Sequence, residues 1–429
     1  MRRTRPVASP PDGPVLDLSI VAMGGEGEGI ALLPDGSRVY VPLTLPGETV
    51  QARRSGERGT LVAVTTPSAD RVEPPCAHFG LCGGCAIQHW SPAAGLAWKV
   101  ERLRQTLERE RLETDILPAF AASPGQRRRL ALHARRGPRR DEAVLGFKGR
   151  RSWDVIGVEA CTVAVPALNA ALPALRRLGA VFLERPKSAP TLHVTLTETG
   201  LDVDVTGVEA KGGGLSADAR RRAADIAAAA DLARVTLAGE MLYQARQPVV
   251  AFGAGRVNLP PGGFLQACAG AEAVMVAEAC AAVAGARKIA DLFCGAGAFT
   301  FPLAAVAPVL AADASEASIA ALRTALAGAP GLKTVTPVCR DLFRRPYSDK
   351  ELKGIDAIVF DPPRAGAVEQ AGSIARSGAA TVVGVSCNPA TFVRDAALLV
   401  AAGFRLKSLR PVDQFLWSPH IEVVGVFER

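Results

Sequence analysis

No run of about 18 uncharged apolar residues occurs anywhere in the 429-residue sequence, so no transmembrane helix is expected. The opening Met1-Arg2-Arg3-Thr4-Arg5-Pro6 has no apolar segment behind it, which excludes a secretory signal and reads as a basic, Pro-rich tail. These absences lead to the expectation of a cytoplasmic monomer with no membrane partner. Compositional bias is also missing: 48% hydrophobic and 21% charged residues are ordinary for globular protein and exclude a disordered chain. No internal repeat is evident. The nine cysteines are odd in number and unevenly placed, which argues against a disulfide framework and leaves metal ligation and a reactive thiol as better uses. At this length one core does not suffice, and two to four domains are expected.

What is present is concentrated. Between Gln126 and Trp153 ten Lys/Arg (Arg127, Arg128, Arg129, Arg135, Arg136, Arg139, Arg140, Lys148, Arg150, Arg151) face only Asp141 and Glu142, so this stretch holds the whole +8 surplus. A charge run is usually a solvated face. One that carries the entire excess reads as a polyanion footprint, with phosphate backbone the expected polyanion.

Along the chain, residues 14–70 read as an OB-like β-barrel. Short alternating runs at 16–21, 38–42, 48–52 and 60–64 are separated by Gly-rich turns and Asp35-Gly36. The phrases Gly27-Glu-Gly-Ile-Ala31, Val41-Pro42 and Leu45-Pro-Gly-Glu48 resemble the TRAM module of RNA-modifying enzymes. Next, Cys76, Cys82 and Cys85 fall within ten residues joined by glycines. Zinc fits if His78 or His89 is a fourth ligand. A [4Fe–4S] cluster wants four thiolates, and Cys161 is available. A helix over 93–112 carries Leu96, Val100, Leu103 and Leu107 at helical spacing. The rest of a central domain, 71–250, reads as antiparallel β structure at 130–132, 143–147, 192–196 and 201–205, with a helix over 165–183.

From 251 to 429 the pattern is that of a doubly wound α/β sheet. Seven apolar runs (288–293, 309–313, 335–341, 355–361, 381–385, 404–409, 421–427) alternate with Ala-rich helical segments. Five of them finish in a chemically loaded residue: Asp291 running into Phe293, Gly295 and Gly297, then Asp313, Asp341, Asp361 and Cys387. Ends of parallel strands are where such sheets hold ligands. Asp313, 22 residues after Asp291, is placed to hold ribose hydroxyls. Phe299-Thr300 stands where a dinucleotide fold needs a third glycine, so a nucleoside-type ligand without pyrophosphate fits better, with S-adenosylmethionine first and NAD a distant second. If the last strand is antiparallel, its beginning meets the same edge, and Glu422 faces the cleft of Cys387 as a candidate base.

These residues resemble the bacterial uracil-5 RNA methyltransferases, in Asp291-Leu-Phe-Cys-Gly-x-Gly297, Asp361-Pro-Pro-Arg-x-Gly366, Val385-Ser-Cys-Asn-Pro389, His420-x-Glu422 and Phe264-Leu-Gln266. The barrel and the Cys76/Cys82/Cys85/Cys161 pattern resemble the branch that modifies 23S ribosomal RNA. The resemblance implies a class I methyltransferase fold, S-adenosylmethionine contacts from Gln266, Phe293, Asp313 and Asp361, Cys387 as nucleophile and Glu422 as base. It also implies that the helix over 93–112 packs on the catalytic domain. Departures are Cys268 two residues after Gln266, where the family usually has Asn, then Ala298, and the run Leu416-Trp-Ser-Pro419. The expected reaction is methyl transfer to C5 of a uridine in RNA, with 23S rRNA as partner. Cytidine C5 methylation is the second enzyme reading, and it would want a cysteine after a proline in the Asp361 loop. A non-catalytic RNA-binding assembly factor is the third.

Overall fold

The structure, a computed structural model, describes residues 13–139, 142–209 and 214–429. Arg140 and Asp141 of the basic stretch, and the basic N-terminal tail, lie outside the described residues. The chain forms two compact units. One comprises residues up to Lys99 with Lys148–Asp154 and Trp417–Pro419; the other comprises Val100–Phe147, Val155–Leu416 and His420–Arg429.

In the first unit the strands Val15–Met23, Glu28–Leu32, Arg38–Pro42, Thr49–Ser55 and Arg58–Thr66 close into a barrel. Leu18, Ile20, Ala31, Val39, Val41, Val50 and Ala52 fill it, as a period of two requires when one strand face is inside. Four strands coincide with the alternating runs, and the fifth, Glu28–Leu32, falls on the Gly-rich phrase. Gly29 is obligatory there, because a Cβ would stand 2.1 Å from the Thr44 hydroxyl. Buried Glu48 receives the Leu45 N–H and both arms of Arg71, which fixes the chain as it leaves the barrel.

In the second unit a seven-stranded sheet runs Val155–Gly157, Ala143–Lys148, Arg129–Arg136, Thr191–Thr197, Gly200–Thr206, Arg234–Leu237, Glu240–Gln244. Its pairing is mainly antiparallel, with one parallel pair between Gly200–Thr206 and Arg234–Leu237. Helices Pro166–Val181 and Ala217–Ala229 bury their Leu and Ala faces against it.

The same unit contains a nine-stranded sheet, two strands more than the seven apolar runs. Its order is Val335–Cys339, Val309–Asp313, Ile289–Leu292, Ala357–Phe360, Thr381–Ser386, Glu422–Glu428, Arg405–Asp413, Asp115–Ile116, with Phe120–Ala121 also pairing to Arg405–Asp413. The two extra strands have two residues each, too short to show a period. The first five are parallel, and Glu422–Glu428 is antiparallel to both neighbours. Ile289, Val359 and Val383 enter one apolar layer, while the alternate residues Leu292, Ile358 and Val382 enter the other. Both faces are therefore covered, the usual condition of parallel sheets. Leu103 and Leu107 of the helix Pro92–Arg109 belong to the second layer.

Candidate active site

The parallel strands deliver their last residues to one edge, and the antiparallel strand delivers its first residue to the same edge. The result is a cavity of about 620 Å³ lined by Phe293, Gly295, Asp313, Asp361, Cys387 and Glu422, together with Gln266, Gln414, Arg127, Arg129 and Phe264.

On one side lies the turn after Ile289–Leu292. Phe293, Gly295 and Gly297 all have positive φ (64°, 53° and 103°). A Cβ on Gly297 would come within 3 Å of the Leu322 and Phe301 side chains, so only glycine fits. The Gly295 N–H donates to Asp313 Oδ2 at 2.9 Å and the Ser315 N–H to Oδ1 at 2.8 Å, which fixes the carboxylate plane. Asp291 is buried beneath the turn and receives the Thr300 hydroxyl at 2.5 Å. Burial, more than the Asp313 charge, pushes its pKa up to about 7 against that hydrogen bond. Asp341 and Gly297 do not line the cavity. The Asp341 Oδ1 caps the N–H groups of Phe343 and Arg344, and the Phe343 ring lies 5.5 Å from that of Phe293.

On the other side Cys387 follows the strand Thr381–Ser386 and precedes Asn388, the N-cap of the helix Pro389–Ala401. The Asn388 side chain accepts the Ala390 N–H and donates to the Arg364 carbonyl at 3.1 Å. That tie links the loops after Thr381–Ser386 and Ala357–Phe360. Burial, then the charges of Glu422 and Asp361, push the Cys387 thiol up to about 11, with Arg364 pulling the other way. The resting sulfur is therefore a protonated thiol at neutral pH.

Glu422 is 3% exposed. Its Oε2 accepts the Gln414 amide at 2.6 Å, Gln414 also donates to Gln266 Oε1 at 2.8 Å, and Gln266 donates to Asp361 Oδ2 at 3.2 Å. Two carboxyls are thus joined through two amides. Burial pushes Glu422 up to about 7 despite the Gln414 donor. Burial and the Glu422 charge push Asp361 well above the usual carboxylate range. A carboxyl that titrates near 7 has the proton affinity of an effective base at neutral pH.

A family model described as tRNA (Uracil-5-)-methyltransferase matches residues 255–429. An uncharacterised RNA methyltransferase of Caulobacter vibrioides is 59% identical over 413 residues, covering 96% of this chain and 100% of that protein. The 23S rRNA (uracil(1939)-C(5))-methyltransferase RlmD of Marinomonas sp. is 32% identical over 100% of this chain and 98% of its own. This chain belongs to the RNA (uracil-5-)-methyltransferase family. It is an RNA (uracil-5-)-methyltransferase by that membership. The solved tRNA (uracil-54, C5)-methyltransferase of Pyrococcus abyssi shares the fold, with a TM-score of 0.71 over 96% of this chain and 99% of that one at 21% identity.

The four candidate metal-binding thiols of the methyltransferase, Cys76, Cys82, Cys85 and Cys161, are half-buried. In the first unit the Cys82 N–H donates to the His78 carbonyl, the Gly84 N–H reaches Cys82 Sγ at 3.4 Å, and Cys82 bridges to Gly149. In the second unit the Asn169 side chain holds both the N–H and the carbonyl of Cys161. Among the described residues no three His, Cys, Asp or Glu side chains converge closely enough to hold a metal ion.

The basic stretch is more engaged than its charge implies. Arg128 donates to the Gln266 carbonyl at 2.9 Å and pairs with Glu272, while Arg129 donates to the Leu265 carbonyl at 2.7 Å. Both hold the segment that carries Gln266. Arg135 and Arg136 donate to the carbonyls of Val155 and Leu183, and Arg150 and Arg151 reach Glu28. Arg128, Arg129 and Gln414 were not singled out as site residues by the sequence. An amide eight residues before Glu422 has no motif of its own, and an arginine that binds a carbonyl is indistinguishable by composition from one that binds phosphate.

Proposed function

We propose that this methyltransferase makes 5-methyluridine in 23S ribosomal RNA through a covalent adduct between Cys387 and uracil C6. The observation that supports it is one cavity in which the Cys387 thiol and the Glu422 carboxyl stand together with the Gln266–Asp361 pair. S-adenosylmethionine supplies an electrophilic methyl group. Gln266, Phe293, Gly295, Asp313 and Asp361 are the residues that would hold it, with Asp341 setting Phe343 against Phe293 and Gly297 giving the turn its tight packing. Cys387 loses its proton to solvent as its sulfur bonds to C6, which makes C5 nucleophilic. After C5 takes the methyl group, Glu422 accepts the proton that C5 held and the C6–S bond breaks. The departing Cys387 thiolate takes up a proton to regain its resting thiol and Glu422 gives up the one it took from C5, so one proton is released overall per turnover.

Two further parts complete the reading. The barrel acts as an RNA-binding module of the TRAM kind. Cys76, Cys82, Cys85 and Cys161 hold a structural [4Fe–4S] cluster, a role supported by three thiols in ten residues and by a backbone N–H aimed at the Cys82 sulfur. Incubation with methyl-labelled cofactor and 23S rRNA, followed by digestion to nucleosides, tests the reaction. Labelled 5-methyluridine is expected, and label in 5-methylcytidine or in no nucleoside overturns it.

A further inference from the structure

Trp153 is 85% exposed, whereas Trp90 and Trp417 are 7% and 6% exposed. An indole left in water forgoes a large burial gain, and here it is not carried on a loose tip. The Gly149 N–H closes the loop onto the Asp154 carbonyl at 2.8 Å, and Ser152 and Asp154 exchange two hydrogen bonds of 3.0 Å. The Lys148 carbonyl takes the Gly83 N–H at 2.9 Å, and the Arg150 N–H reaches the Leu81 carbonyl at 3.4 Å. Arg150 and Arg151 pair with Glu28, a barrel carboxylate that is 3% exposed.

The surroundings of the ring are cationic. The Lys148 ammonium sits 3.9 Å from the Trp153 ring centroid, over one face. Arg58, Arg150 and Arg151 all lie within 4.0 Å of Glu28, so with Lys148 these cations outnumber the carboxylates Glu28 and Asp154 and leave the loop a positive surplus. Leu81, whose carbonyl the loop engages, is itself 63% exposed. An open aromatic face flanked by cations matches a nucleobase attached to phosphates. Duplex RNA hides its base faces, so the match is to single strands.

We infer that Trp153, with Lys148 over its other face, is a stacking platform for a base of single-stranded RNA. None of these residues lines the cavity of Cys387. The inference rests on the RNA-methyltransferase reading only for the class of ligand.

Binding of the full-length protein to a single-stranded RNA of about ten nucleotides, a length within the usual site sizes, tests it across a salt series. Trp153→Ala should weaken binding about ten-fold, since one base–aromatic stack is worth that order. Its slope of log K against log salt should be unchanged, whereas Lys148→Ala should reduce the slope by about one. Trp153→Phe should keep most of the affinity but lose the part of the fluorescence quench that RNA causes through Trp153. At saturating RNA, methyl transfer by Trp153→Ala should match wild type. Equal affinity of Trp153→Ala and wild type overturns the inference, as does an equal loss on duplex RNA of the same sequence. Failure of wild type to make 5-methyluridine would overturn the proposed function while leaving the oligonucleotide result standing.

Discussion

Gln414 donates to Glu422 at 2.6 Å while its own carbonyl is pinned by the Ala267 N–H at 3.0 Å. That third bond fixes which end of the amide faces the carboxyl, so Glu422 always meets a donor. A donor favours the ionised form and opposes the burial that pushes this group up to about 7. The carboxyls and thiol that line the cavity with Glu422 are Asp361, Asp313 and Cys387, with Asp291 buried beneath the turn, and the other titratable or cationic groups are His193, Arg364, Arg127 and Arg129. A base must be deprotonated, so turnover should rise with pH through about 7 and be lost below it. Gln414→Leu removes the donor, raises the Glu422 pKa further and should move the acid limb of the kcat profile to higher pH. A loss of roughly ten-fold at pH 7 is expected, recovering as pH is raised. An acid limb that stays in place would reduce Gln414 to packing.

Removal of Glu422 and removal of Cys387 should give opposite phenotypes. Cys387→Ala should never form a covalent complex. Glu422→Gln keeps the shape but accepts no proton, so methylated RNA should remain attached through Cys387 and survive denaturing electrophoresis. The adduct should vanish in the double variant. Normal turnover by Glu422→Gln, with no trapped RNA, would assign the base elsewhere.

The Cys387 thiol, pushed up to about 11, should be slow to alkylate in the free enzyme. Because the thiolate is the nucleophile, its iodoacetamide rate should climb about ten-fold per pH unit between 7 and 10. Peptide mass spectrometry separates it from exposed Cys339. A rate already maximal at pH 7 would mean a thiolate at rest.

Arg128 and Glu272 pair at 2.6 Å with side chains only 17% and 12% exposed. Arg128→Ala strands the largely covered Glu272 carboxylate and frees the Gln266 carbonyl. We expect about 3 kcal/mol of destabilisation and a raised KM for S-adenosylmethionine. Arg128→Ala with Glu272→Ala should recover stability but not KM. A stability loss without any KM change would confine Arg128 to holding the fold.

Protein prepared without oxygen should be brown and contain iron. Cys161→Ser should lose the iron as completely as Cys82→Ser if both are ligands. Stoichiometric zinc without iron would replace the cluster with a zinc site.

The residues legible in the sequence are those whose meaning is local. Cys387 is marked by a strand and an Asn-Pro stop, Gly297 by its turn, and Asp313 by a strand end. Residues that act through distant partners leave no such mark. Gln414 joins Gln266, 148 positions earlier, and Arg129 reaches back from the basic stretch to a carbonyl 136 positions later. The strands Asp115–Ile116 and Phe120–Ala121 exist only because Arg405–Asp413 offers them an edge.

The strand Glu422–Glu428 lies between Thr381–Ser386 and Arg405–Asp413, inside the sheet rather than at its border. On a translating ribosome, every other described strand of this sheet emerges before this one, yet Arg405–Asp413 cannot dock until it fills the gap. A nascent chain stopped short of residue 422 would present two unpaired edges and lack Glu422. If Glu422 is the base, the site is therefore finished only after the strand Glu422–Glu428 has left the exit tunnel, and a nascent chain still short of that point cannot complete the reaction proposed for it.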